Sequence, residues 1–157
     1  MAAQAWKIYA KAKKYIGNGT ITLGAGVFKM ALLRNSATTL GITALSTRST
    51  WNSIRAAEIS ALGGYLIHGR NLLPATSQWT VGVSTKQYKL TYSTVGLVFT
   101  ASGASLKNIR FAVIRNSLTA STGRLLCYCS LSSAAFSITS PNTVTVIPAA
   151  TGVFTLA

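Results

Sequence analysis

The 157-residue chain carries fifteen Lys and Arg against one acidic residue, a formal net charge of +14, and 49% of it is hydrophobic. That apolar share, with Ser, Thr, Gly and Asn making up most of the rest, fits one folded domain and excludes a disordered basic tail. Apolar runs break every few residues, which excludes a helical membrane span of about 20 apolar residues, and the lysines scattered through "MAAQAWKIYAKAKKYIG" argue against a signal peptide and for synthesis in a cytosol.

The first predicted element is an amphipathic helix over residues 3–16. On a helix, Lys7, Lys11 and Lys14 recur at i, i+4 and i+7 as one cationic ridge, while Ala5, Ile8, Ala12, Tyr15 and Ile16 fill an apolar arc. "GNG" at residues 17–19 ends it, because Gly and Asn tolerate the left-handed conformation of helix ends. This helix, residues 1–19, reads as an arm on a single β domain of residues 20–157.

Beyond residue 19 the apolar period changes to two. "GVFKMALLR" sets Phe28, Met30 and Leu32 against Lys29 and Ala31. "KQYKLTYS" sets Tyr88, Leu90 and Tyr92 against Lys89 and Thr91, and "NIRFAVIR" sets Ile109, Phe111 and Val113 against Arg110 and Ala112. Each reads as a strand with one face in the core. Shorter strands are expected near residues 64–67, 79–84, 95–100, 124–131, 135–139, 143–147 and 152–156, divided by Ser, Gly, Asn and Pro clusters such as "TSPNT". Residues 35–53 are polar and weakly periodic, and read as an excursion between strands. Many short strands after one helix predict a mainly β fold, a β-sandwich or jelly roll with a short N-terminal α-helix.

Cys127 and Cys129 stand at i and i+2, which on a strand puts them on one face roughly 7 Å apart. That spacing suits neither a disulfide nor a zinc site lacking two further ligands, so both read as reduced thiols packed as small apolar groups, with no metal implied.

The stretch "RAAEISALGGYLIHGRNL", residues 55–72, holds the only acidic residue, Glu58, and the only histidine, His68. A Ser-His-Glu hydrolase would need this pair, yet no G-x-S-x-G elbow is present and Gly63, Gly64 and Gly69 mark turns or bulges. The plainer reading has Glu58 accepting hydrogen bonds or pairing Arg55 or Arg70, with His68 a strand residue. "GNGTITLGAG" lacks the Lys and Ser/Thr of a P-loop. No catalytic residue, cofactor or nucleotide site is therefore expected, and the chain reads as a non-enzyme.

Such a charge attracts a polyanion: nucleic acid, an anionic membrane or an acidic protein surface. Half the lysines lie near the N-terminus beside Trp6, Tyr9 and Tyr15, but Arg34, Arg48, Arg55, Arg70, Arg110, Arg115 and Arg124 are spread along the chain. That spread fits a broad contact better than a nucleic-acid groove, and no known nucleic-acid-binding pattern occurs. Lys7, Lys11, Lys14, Trp6 and Tyr15 are the candidate partner-binding residues.

The order "YAKAKKYIGNGTI", "VFKMALLRNS", "AEISALGGYLIHGRNL", "GLVFTASGASLKNIRFAVIRNS" and "ATGVFTLA" resembles a family of small virion structural proteins of tailed double-stranded DNA bacteriophages. The resemblance covers most of the chain and implies a head-decoration (cement) protein. In that role it would sit on the capsid exterior, bind the acidic outer surface of the major capsid protein and form a homo-oligomer, dimer or trimer, on the shell. A tail or neck component is the alternative from the same particle, and a basic nucleic-acid-binding module the alternative from another class. The resemblance also makes Glu58, Gly63, Gly64 and Tyr65 a structural turn, with Glu58 an acceptor that fixes entry into the next strand. The chain departs from the family pattern where relatives carry Asp or Glu, which points to an unusually acidic partner.

Overall fold

The computed structural model describes residues 4–24, 26–72, 79–82, 87–90, 92, 96–116, 123–148 and 152–156. The chain is mainly β, with one α-helix and antiparallel sheets. The strands are β1 (Lys7–Ile8), β2 (Phe28–Arg34), β3 (Arg70–Asn71), β4 (Trp79–Gly82), β5 (Gln87–Leu90), β6 (Leu97–Thr100), β7 (Leu106–Asn116), β8 (Leu125–Ser130), β9 (Phe136–Ile138), β10 (Thr143–Val146) and β11 (Phe154–Leu156), with α1 (Ala10–Gly17) between β1 and β2. The main sheet runs β1-β8-β7-β2-β3, and β9 continues past β8 along the same edge of β7. β6 pairs β10, and β11-β5-β4 form a third sheet. A β-sandwich or jelly roll is compatible with this arrangement. Among the described residues no helix is long and apolar enough to cross a membrane.

Alternating strands were expected to bury one face, but β2 and β8 are covered on both. One face of the main sheet carries Ala31, Leu33, Phe111, Val113 and Tyr128, and against it lie Tyr9 and the chain of residues 35–57. Tyr9 packs on Tyr128 at 5.7 Å between ring centroids and donates its hydroxyl proton to the Ile42 carbonyl, while Trp51 takes the Arg115 guanidinium over its ring. The opposite face carries Met30, Leu32, Ala112, Cys127 and Cys129, beneath β6, β10, Tyr92 and Val153.

The supposedly polar excursion is thus a core layer. Its 3₁₀ turns at Asn35–Ala37 and Trp51–Ser53, and the one just beyond it at Arg55–Ala57, satisfy the backbone locally, with Thr38, Thr39 and Ser53 hydroxyls bonding carbonyls three residues back. Ile42, Trp51, Ile54 and Ala57 are left fully buried. Turn hydrogen bonds leave no apolar period to read.

The helix is half the expected length. Residues 7 and 8 instead pair β8, Lys7 opposite Tyr128 and Ile8 opposite Cys127, with bonds from Gln4 N–H to Ser130 and from Tyr9 N–H to Leu126 extending the ladder. The exposed edge of β8 offers ladder partners that outweigh a helix propensity of a few tenths of a kcal/mol per residue. Residue 3 of the expected helix lies outside the described residues. β4 to β6 and β8 to β11 occupy the expected short-strand positions, with residues 83–84, 86, 91, 93 and 95 outside the described residues. The strand expected near 64–67 is absent: those residues are turns, and β3 begins only at Arg70.

Candidate functional site

The predicted cationic ridge is dispersed. Lys11 and Lys14 remain on one exposed side of α1, but Lys7 belongs to β1. Trp6 lines a groove of about 590 Å³ with Cys129, Leu131, Phe136 and Val144. Because Lys7 stands opposite Tyr128 and successive strand residues face opposite ways, Lys7 and Trp6 lie on different faces of the sheet. Tyr15 sits beneath the Arg124 guanidinium, 4.9 Å from ring centroid to cation carbon. The five residues share no single surface.

Residues 55–72 run along the outer edge of β2. Glu58 bridges Leu33 and the Ile59 N–H bonds the Leu32 carbonyl; the chain then leaves the edge and returns at Arg70 opposite Met30. The departure would strand the Leu32 N–H, and the Tyr65 hydroxyl fills the gap. It accepts from Leu32 N–H at 3.1 Å and donates to Glu58 Oε1 at 2.7 Å. Arg34 closes the other side, donating from Nε and Nη2 to the Glu58 carbonyl at 3.0 and 2.7 Å. Two glycines make the path possible. Gly63 has φ +64° and a Cβ there would lie 2.3 Å from the Ala104 carbonyl oxygen; Gly69 has φ +82° and a Cβ would lie 2.3 Å from that of Met30. Any larger residue at either point meets backbone that cannot yield.

His68 is in the turn, not a strand, with φ +69°. Its Nδ1 lies 3.8 Å from Glu58 Oε2, and its carbonyl accepts from Arg115 Nη2 at 3.0 Å. Glu58 pairs neither Arg55 nor Arg70: its carboxylate accepts the Tyr65 hydroxyl, with the backbone of His68 and Gly69 and the Arg115 charge nearby. Burial raises the Glu58 pKa above the ordinary carboxylate value, and the Tyr65 hydrogen bond, the nearby backbone dipoles and Arg115 oppose that rise. The His68 imidazole is pushed below its ordinary value by desolvation and by Arg115, Lys29 and Arg55, so it is neutral at pH 7. Tyr65 is raised by burial and by the adjacent carboxylate. Through Oε1 and its carbonyl, Glu58 ties the turn to the edge of β2. Cys127 and Cys129 are free and buried, and burial raises both thiols, Cys129 to about 12, which favours the protonated form over the thiolate.

Arg115 and Arg34 were not singled out in the sequence, where they are two more cations in a basic chain. The available signal was positional: Arg34 follows Phe28, Met30 and Leu32, and Arg115 follows Ile109, Phe111 and Val113, at the next apolar-face position of each strand, where a long cation needs a reason to be half-buried or buried. No family model, curated protein or solved structure matches this chain, so the phage-virion resemblance stands on the motifs quoted above.

Proposed function

We propose that the chain is a non-enzymatic structural protein of a tailed-phage virion, a decoration (cement) protein that binds the outer surface of the major capsid protein and holds neighbouring subunits together. One observation carries this reading. The only carboxylate side chain, Glu58, is 6% exposed, so no side chain on the surface bears negative charge at neutral pH. Such a protein repels its own copies and is attracted to any acidic lattice. On a shell, the same modest contact recurs at every symmetry-related position, and two or three copies joined together gain avidity without new contacts. Commitment of Glu58 to its own loop and the elevated thiol pKa values support the non-enzymatic part.

Electron cryomicroscopy of the parent particle tests this directly. Density for the chain on the outside of the head, bridging capsid subunits, is the expected result. Density at the neck or tail would transfer the protein there. Absence from the particle together with tight duplex-DNA binding at physiological salt would replace the proposal with a nucleic-acid-binding role.

A further inference from the structure

The turn tied down by Glu58 presents apolar side chains outward. Leu62, Leu66 and Ile67 are 63%, 66% and 50% exposed, three large apolar residues within six positions of a chain that buries most others. Scattered exposed leucines need no explanation, but a cluster on one turn marks a contact surface. The turn is also fixed. Tyr65 between them points inward and is 4% exposed, stacked on Phe99 at 6.1 Å, while the Gly63 carbonyl accepts from Ser102 N–H and the Leu66 carbonyl from Gly69 N–H. A contact made by a pre-ordered loop avoids the ordering cost that a free loop meets on binding.

Its flanks are cationic. Leu62 shares a cleft of about 370 Å³ with Arg34 and Lys107; on the other side Lys29 and Arg55 act on His68, and Arg70 bonds the Val98 carbonyl. No side-chain carboxylate of this chain neutralises them, because Glu58, the one acidic residue, is turned inward. We infer that the 62–67 turn with the Arg34–Lys107 cleft is the principal docking surface, and that it takes a protein segment presenting acidic side chains beside apolar ones. The choice of a protein over a nucleic acid rests on the exposed residues being aliphatic: bases stack on aromatic rings, whereas leucines fill apolar pockets. As a site on a capsid protein the inference depends on the function proposed above; as a recognition chemistry it stands alone.

The test compares wild type, Leu62→Ser/Leu66→Ser/Ile67→Ser and Lys107→Glu, each first shown by thermal melting to keep the wild-type fold. Probes are a synthetic peptide of alternating Glu and Leu, polyglutamate, duplex DNA and capsids stripped of the protein. Wild type should bind the Glu-Leu peptide more tightly than polyglutamate. The triple Ser variant should lose about tenfold or more on that peptide, Lys107→Glu should weaken both acidic probes, and amide exchange should slow at residues 62–67 on binding. Equal peptide affinity for the triple Ser variant and wild type, or protection confined to α1, overturns the inference. So does DNA binding that depends on Leu62, Leu66 and Ile67. If wild type and the triple variant fill capsids equally, this surface is wrong and the capsid proposal survives. If wild type ignores capsids but shows turn-dependent peptide binding, the surface is right and its partner is another acidic protein.

Discussion

The main sheet ends in a two-residue strand on both sides, β1 against β8 and β3 against β2, and the two edges are finished by different means. At the β1 edge the ladder bonds are regular and the chain passes into a short helix whose Lys11, Lys13 and Lys14 face water; only Tyr9 and Ala12 there are fully buried. At the β3 edge the chain departs for ten residues between Ile59 and Arg70, and the interrupted ladder is completed by side chains: Tyr65 on Leu32, Arg34 on the Glu58 carbonyl, Glu58 on the turn. A regular ladder tolerates substitution of its flanking side chains, whereas a ladder completed by side chains depends on each of them. The sole acid of the chain is found at the second edge because a carboxylate accepts several N–H and O–H donors at once.

The largest contrast is between two glycines. Gly69→Ala places a Cβ 2.3 Å from the Met30 carbonyl oxygen at φ +82° and should destabilise the fold by about 3 kcal/mol or more. Gly17 has no atom within 4 Å of its Cβ position, so Gly17→Ala should be neutral or stabilise by up to about 1 kcal/mol. Urea midpoints of the two variants measure the difference; comparable losses would mean that the two edges are equally constrained.

Two tyrosines give the next effect. Tyr65→Phe deprives the buried Leu32 N–H and the Glu58 carboxylate of their shared partner and should cost about 1–3 kcal/mol. Tyr15→Phe keeps the ring beneath Arg124 and should leave the melting temperature unchanged.

Titration sharpens the same edge. Because the folded Glu58 pKa lies above 4.5, the folded state holds its proton more tightly; the associated stability is full below pH 4.5 and is lost as pH rises through the raised value. Glu58→Gln should be less stable than wild type by roughly 0.5–1.5 kcal/mol in acid, where the carboxyl is neutral, with the gap narrowing as pH rises across that window. His68 has the opposite sign: its folded pKa lies below 6.5, so stability present above pH 6.5 is lost as pH falls through the lowered value. His68→Asn, which also suits a positive φ, should remove that decline. Stability curves against pH for the three proteins check both slopes, and a Gln variant that tracks wild type at every pH would contradict the assignment at Glu58.

What the sequence disclosed follows the same division. Strands β2 and β7 were legible because an apolar period of two runs through five residues of each, Phe28 to Leu32 and Ile109 to Val113, and the turns within 55–72 were signalled by Gly63, Gly64 and Gly69. Lys7 and Ile8 misled because an i, i+4, i+7 lysine pattern looks helical regardless of whether a strand edge lies nearby. Residues 64–67 misled because "YLI" is apolar enough for a strand, and nothing local says that Tyr65 turns in while Leu66 and Ile67 turn out. Residues 35–53, expected as a polar excursion, hid a core layer because turns bury side chains without a period. Each miss concerns a partner distant in sequence: β8 for Lys7, Leu32 for Tyr65, Arg115 for Trp51.

The smallest effect is expected on α1. Lys11→Gln/Lys14→Gln should leave the fold unaltered and weaken attachment only modestly, since exposed ion pairs contribute about 0.2–1 kcal/mol each.

The central claim, that a surface free of side-chain carboxylates binds an acidic shell, is tested most directly by co-sedimenting the wild-type protein with stripped heads of the parent phage at 0.1 M and 1 M salt. Between these the screening length falls from about 10 Å to about 3 Å. The account predicts a saturable stoichiometry on intact, DNA-free heads at low salt and partial release at high salt, with the apolar part of the contact persisting. No binding to heads at low salt, or binding only when DNA is present, would contradict it.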